Sequence, residues 1–182
     1  MSPDVHHRDG GNRYPAIRSA REHRDTPYLI DALRDPDHRA IAAGYVADLG
    51  AVQAIPGLLR LLDANDPHIR ATAARALGQL RAVEALPRLR EIAREDEDFV
   101  RSWAVGAIAN IGDSENADLL IGFLNDRSMR VRAAAALGLG RLGDDSALQP
   151  LQDAKPKLHR RPVEWYLYRR LYTDAMKTIN SR

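Results

Sequence analysis

The chain has 182 residues, 45% of them hydrophobic and 29% charged, with a net charge of +2 and no cysteine. That is apolar material for one domain or a small repeat array, and it excludes disulfides, thiol catalysis and cysteine metal sites. Neither a run of about 18 apolar residues that could span a membrane nor a secretory signal at Met1–His7 is visible, so a cytoplasmic location is expected.

The charge is uneven. Residues 155–182 hold eight basic side chains against Glu164 and Asp174, a net +6, which leaves residues 1–154 at −4. A mildly acidic body carries a basic tail.

In chain order, residues 1–25 read as an arm followed by a short helix. Pro3, Gly10-Gly11 and scattered charge mark the arm. Tyr14–Arg24 reads as the helix, with Pro15 tolerated in its first turn. Thr26-Pro27 then supplies an N-cap and a first-turn proline for a helix to about Leu33.

From there to residue 154 a repeat governs. Arg39, Arg70, Arg101 and Arg132 are spaced 31 residues apart. Each unit opens on a turn: Asp35-Pro36, Asp66-Pro67, Glu97-Asp98 and Ser128-Met129. An acid or serine there can cap the next helix. A first helix of about twelve residues runs to Leu49, Leu80, Ile111 or Leu142. It breaks at Gly50, Arg81, Gly112 or Gly143, where a left-handed residue commonly ends a helix. Arg81 departs from glycine and is expected to be strained or to end its helix differently. A second, shorter helix carries Ile55, Leu86, Ala117 and Leu148, then Leu58, Leu89, Leu120 and Leu151, on one face.

A helix pair this small cannot bury its own apolar stripe. Stacked pairs bury a continuous core, which is the logic of a solenoid. The motif Val131-Arg132-Ala133-Ala134-Ala135-Ala136-Leu137-Gly138-Leu139-Gly140-Arg141-Leu142-Gly143 and its copies resemble the HEAT-like repeat of phycobiliprotein lyases and bacterial scaffold proteins. The resemblance covers roughly residues 27–154. It implies an all-α, α/α superhelix of about four repeats plus terminal helices, and a surface on the first helices that lines a concave face. It says little of function, because one fold serves many partners.

Columns can be compared within the chain. Ala42, Ala73, Ala104 and Ala135 are identical, and so are the arginines, so these columns serve stacking. The arginines could form an anion-binding ladder, or a structural one in which each pairs with an acid such as Asp66, Asp113 or Asp144. The first helix also carries columns that vary: Ala40, Ala71, Ser102, Ala133; Ile41, Thr72, Trp103, Ala134; Gly44, Arg75, Gly106, Leu137; and Asp48, Gln79, Asn110, Arg141. On these the expected partner-binding surface is Ile41, Thr72, Phe99, Trp103, Met129 and Leu137, ringed by Arg75, Asn110 and Arg141. His68, Gln79 and Arg130 lie around it. An apolar centre with a polar rim is how binding energy is usually distributed. Gly106, one turn from Trp103, leaves the indole uncovered. The competing reading tucks Trp103 between repeats as core.

Residues 155–162, with Pro156 and Pro162, read as a linker, and Val163–Asn180 as a helix. Trp165, Tyr168, Tyr172, Ala175, Met176 and Ile179 share one side, which would cap the open end of the array. Arg160, Arg161, Arg169 and Arg170 form a possible basic patch, and the aromatics beside them could meet nucleic acid. The helix could also pair with a second copy.

No glycine-rich phosphate loop and no His-Glu-x-x-His occurs, and the six histidines are scattered, so neither cofactor nor metal is expected. A lyase-type or glycosylase-type enzyme is a minor alternative. No residue specifies bilin chemistry, and Asp48 is the only acid among the varying positions. The expected function is a non-enzymatic scaffold that binds another protein. The alternative is an acidic partner or nucleic acid on the C-terminal helix.

Overall fold

The computed structural model describes residues 14–112, 116–143, 145–155 and 164–181. Among them eleven α-helices and no strand occur. Helix α1 spans Tyr14–Glu22 and α2 Thr26–Ala32; the four repeats contribute α3 (Arg39–Asp48) with α4 (Ile55–Leu61), α5 (Pro67–Gln79) with α6 (Leu86–Glu95), α7 (Asp98–Ile111) with α8 (Ala117–Phe123), and α9 (Met129–Leu142) with α10 (Leu148–Ala154); α11 is Glu164–Asn180.

The first helices stack in one row, α3 on α5 on α7 on α9, and each second helix packs against the first helix of the following unit. Helix α11 takes the next place in both patterns, against α9 and α10. It buries Tyr172, Ala175 and Ile179 there. The C-terminal helix therefore sits where a fifth first helix would sit.

Small side chains make the row tight. Ala42, Ala73, Ala104 and Ala135 are fully buried. A Cβ on Gly78 would lie 2.5 Å from the Ala107 Cα, and one on Gly140 would lie 2.8 Å from the Ala175 Cα. Neighbouring backbones approach so closely that only glycine fits.

The ends of the helices follow the sequence with specific departures. Gly50, Gly112 and Gly143 take positive φ of 67°, 80° and 71°, and Arg81 takes 53° at the same place. Arg81 thus makes the glycine turn despite its Cβ, a conformation that costs about 1–2 kcal/mol for an ordinary L-residue. Short 3-10 turns, Val52–Ala54 and Val83–Ala85, lead into α4 and α6 and were not foreseen from the apolar spacing. Asp66 caps α5 by accepting from the His68 amide at 2.8 Å. Glu97 and Ser128 make no side-chain cap bond. Before α2 the cap is Asp25, which accepts from the Tyr28 amide, and not Thr26. Arg24, with φ of 56°, turns the chain early, so Thr26 is already helical and α1 ends at Glu22.

The repeated arginines are structural ties, and their partners differ from the expected acids. Arg70 makes a forked pair with Asp96, with Nε to Oδ2 at 2.7 Å and Nη2 to Oδ1 at 2.5 Å. Its remaining Nη1 donates to the Ala64 and Asn65 carbonyls. Arg101 forks onto Asp126 at 2.8 Å through both Nη atoms and is only 5% exposed. Arg70 and Arg101 therefore reach the turn that closes their own repeat, and Arg70 and Arg132 donate to carbonyls of the turn before them. Asp66 is instead a helix cap, and Asp113 and Asp144 lie outside the described residues. Burial alone would raise the Asp96 carboxyl, but Arg70 and the Glu97 amide hold it below the usual carboxylate range. One repeat earlier the corresponding position is Asn65, and the Arg39 Nε is buried without a hydrogen-bond partner.

Candidate functional site

Along a helix each residue turns the side chain by about 100°. Residues of α7 and α9 that do not face the stack are therefore presented together on one side. There a groove of about 470 Å³ runs across α5, α7 and α9. Its floor is small and apolar: Gly106 and Ala107 from α7, Ala133, Ala134 and Gly138 from α9. A Cβ on Gly106 would meet nothing within 4 Å, so this part of the floor is open. Gly138 fits against Ala109, where a Cβ would lie 2.6 Å from the alanine methyl.

Two large apolar side chains stand over that floor. Trp103 of α7 and Leu137 of α9 are each 40% exposed. Trp103 is thus a surface residue, and the reading that seals it between repeats does not hold. Phe99, one turn before Trp103, is half-buried and packs at the edge of the core. The His68 ring lies over it, centroids 5.5 Å apart and tilted by 59°.

The rim is polar. Arg75 lies against Gly44, where a Cβ would sit 3.3 Å from its Nη2, and its Nη1 donates to the Gln79 Oε1 at 3.3 Å. At the C-terminal end of the helices Arg141 donates to the Asn110 Oδ1, across the boundary between two repeats. Arg130, in the first turn of α9, is exposed at the other end. The Ser102 hydroxyl lines the groove but donates back to the Phe99 carbonyl at 2.7 Å.

Of the nine residues expected at the surface, Arg75, Phe99, Trp103, Asn110, Leu137 and Arg141 line this groove. Ile41, Thr72 and Met129 do not. Ile41 is half-buried against the core. The Thr72 hydroxyl donates to the His68 carbonyl at 2.8 Å, back into its helix. Met129 is half-buried at the start of α9, and its neighbour Arg130 occupies the rim. One residue of rotation separates the two, and the variable columns could not fix it. Asp48, the acid among those columns, is engaged by Arg21 of α1 at 3.5 Å, and Arg21 also lies 4.8 Å from the Tyr45 ring centroid.

Arg170 is exposed and pairs with Asp174 at 3.4 Å, and Arg169 is half-buried. Arg160 and Arg161 lie outside the described residues, and so do the side chains of Trp165 and Tyr168. Among the described residues no group of three or more His, Asp or Glu could hold a metal ion, and no helix is long and apolar enough to cross a membrane.

A family model described as HEAT repeats matches residues 26–109 and 99–161. The chain belongs to the HEAT-repeat family. Solved structures agree on the fold of this HEAT-repeat chain. It is similar to a chain of the complex of CpcE and CpcF of phycocyanin lyase from Nostoc sp. PCC7120, with 22% identity over 81% of this chain and 97% of that one and a TM-score of 0.64. It is also similar to a designed armadillo repeat protein in complex with the peptide (KR)4, with 20% identity over 92% and 87% and a TM-score of 0.60. An engineered protein is 21% identical over 98% and 96%, with a TM-score of 0.61. At these identities the likeness is one of fold. No curated protein matches the sequence.

Proposed function

We propose that this HEAT-repeat chain is a non-enzymatic scaffold that binds another protein in the groove between α7 and α9. The observation that carries this reading is the pair Trp103 and Leu137, each 40% exposed over an open alanine and glycine floor. Large apolar side chains on a monomer's surface, enclosed by a polar rim, mark interaction sites. Indole and leucine anchors fit a side chain of a partner; the arginines and amides of the rim fit its backbone and polar groups. Solenoids of this shape engage other chains: CpcE is found with CpcF, and the designed armadillo protein holds a peptide.

The test is capture of partners from the native host by wild type and by Trp103→Ala, with thermal melts of both. The expected outcome is a partner lost from the variant while the melting temperature stays close to that of wild type. A partner retained by Trp103→Ala would place binding elsewhere on the molecule.

A further inference from the structure

We infer that the groove takes an acidic peptide segment carrying one bulky apolar side chain. This rests on the reading of the groove as a protein-binding surface and adds the partner's chemistry.

Two depressions of the central repeats differ in charge. Arg75 and Arg130 line the groove, and no carboxylate is among the described residues that line it. A separate depression around α6 holds carboxylates, where Asp63, Glu91 and Asp96 meet Arg88 and Arg70. There each guanidinium is matched by carboxylates of the chain itself. In the groove the Arg75 guanidinium meets the neutral Gln79 amide instead, and Arg130 stands exposed. A forked, permanently charged donor is suited to a carboxylate, and for Arg75 and Arg130 none among the described lining residues supplies it. The partner is left to supply the negative charge.

The apolar part of the groove sets the second requirement. Trp103, Leu137 and the open floor at Gly106 offer a seat for an aromatic or leucine side chain between the arginines. A polyphosphate chain fits less well. It has no such side chain to seat beside Trp103 and Leu137. Opposite charge across the rim would speed encounter and reject basic sequences, while the apolar anchor holds the complex.

The full chain is panned against a random displayed library of peptides of about twelve residues. Trp103→Ala and Arg130→Gln are panned in parallel, after their circular dichroism melts are shown to match wild type. Peptides enriched on wild type should be net negative, contain an aromatic residue or leucine, and lose enrichment on both variants. A synthetic copy of the leading peptide should bind Arg130→Gln about tenfold more weakly, the scale of one lost charge-assisted bond. It should also weaken as salt rises from roughly 50 to 300 mM.

Enriched peptides that are neutral or basic, yet lost on Trp103→Ala, would overturn the acidic partner and leave the groove reading standing. Enrichment indifferent to Trp103→Ala, or no enrichment at all, would overturn both. Displacement of the peptide by single-stranded oligothymidine at equal concentration, with the same Arg130 dependence, would reassign the groove to phosphate and overturn the peptide.

Discussion

Gly106 and Ala107 are consecutive residues of α7 at the floor of the groove, yet their surroundings differ. Ala107 is pressed against Gly78 of the preceding repeat, so closely that a Cβ there would sit 2.5 Å from the alanine Cα. Gly106 has nothing within 4 Å of the place where its Cβ would be. Ala107 belongs to the seam and only edges the groove, whereas Gly106 opens onto it. Rotation of about 100° per residue is enough to separate them. The seam tolerates almost no change of volume because interiors are close-packed. The groove side has free space, and its residues differ from repeat to repeat.

The contrast can be pressed from the strongest seam contact downward. Asp126→Ala should cost about 3–5 kcal/mol, because Arg101 would be left charged and buried without its carboxylate. Chemical denaturation reads this directly, and a loss under about 1 kcal/mol would mean the fork adds little to the seam. Gly78→Ala comes next, at about 1–3 kcal/mol, since an added methyl must push the α7 backbone away. Arg81→Gly should move the other way and stabilise by about 1 kcal/mol, by relieving a side chain held at φ of 53°. A melt of the purified variant decides the sign. The smallest effect is expected in the groove. Trp103→Ala should change stability by less than about 1 kcal/mol, well short of the roughly 3–5 kcal/mol of a buried tryptophan. A loss on the larger scale would put the indole in the seam.

The seam was far more legible than the groove. A period of 31 residues fixes which helices stack, and the alanine column and glycine breaks follow from it. The arginine column was legible as a tie but not its partners. The acid lies 26 residues after Arg70 and 25 after Arg101, because the turns that close the two repeats differ in length. The groove was legible only to within one helical position. Variation from copy to copy pointed to Trp103, Leu137 and Arg75, but could not choose between Met129 and Arg130 at the start of α9. Nor could it show that Thr72 spends its hydroxyl on its own helix. Local turn chemistry was legible where one residue dominates, as at Asp66. It was not legible where a left-handed Arg24 moved the cap back to Asp25.

The vacant space beside Gly106 has a use of its own. The Cβ of an alanine or serine installed there would meet no neighbour within 4 Å. The depth of the trough beside the indole could then be set by a single codon while the backbone of the array stays as it is. Repeat 3 is therefore a place where partner preference can drift or be redesigned without renegotiating how the layers fit.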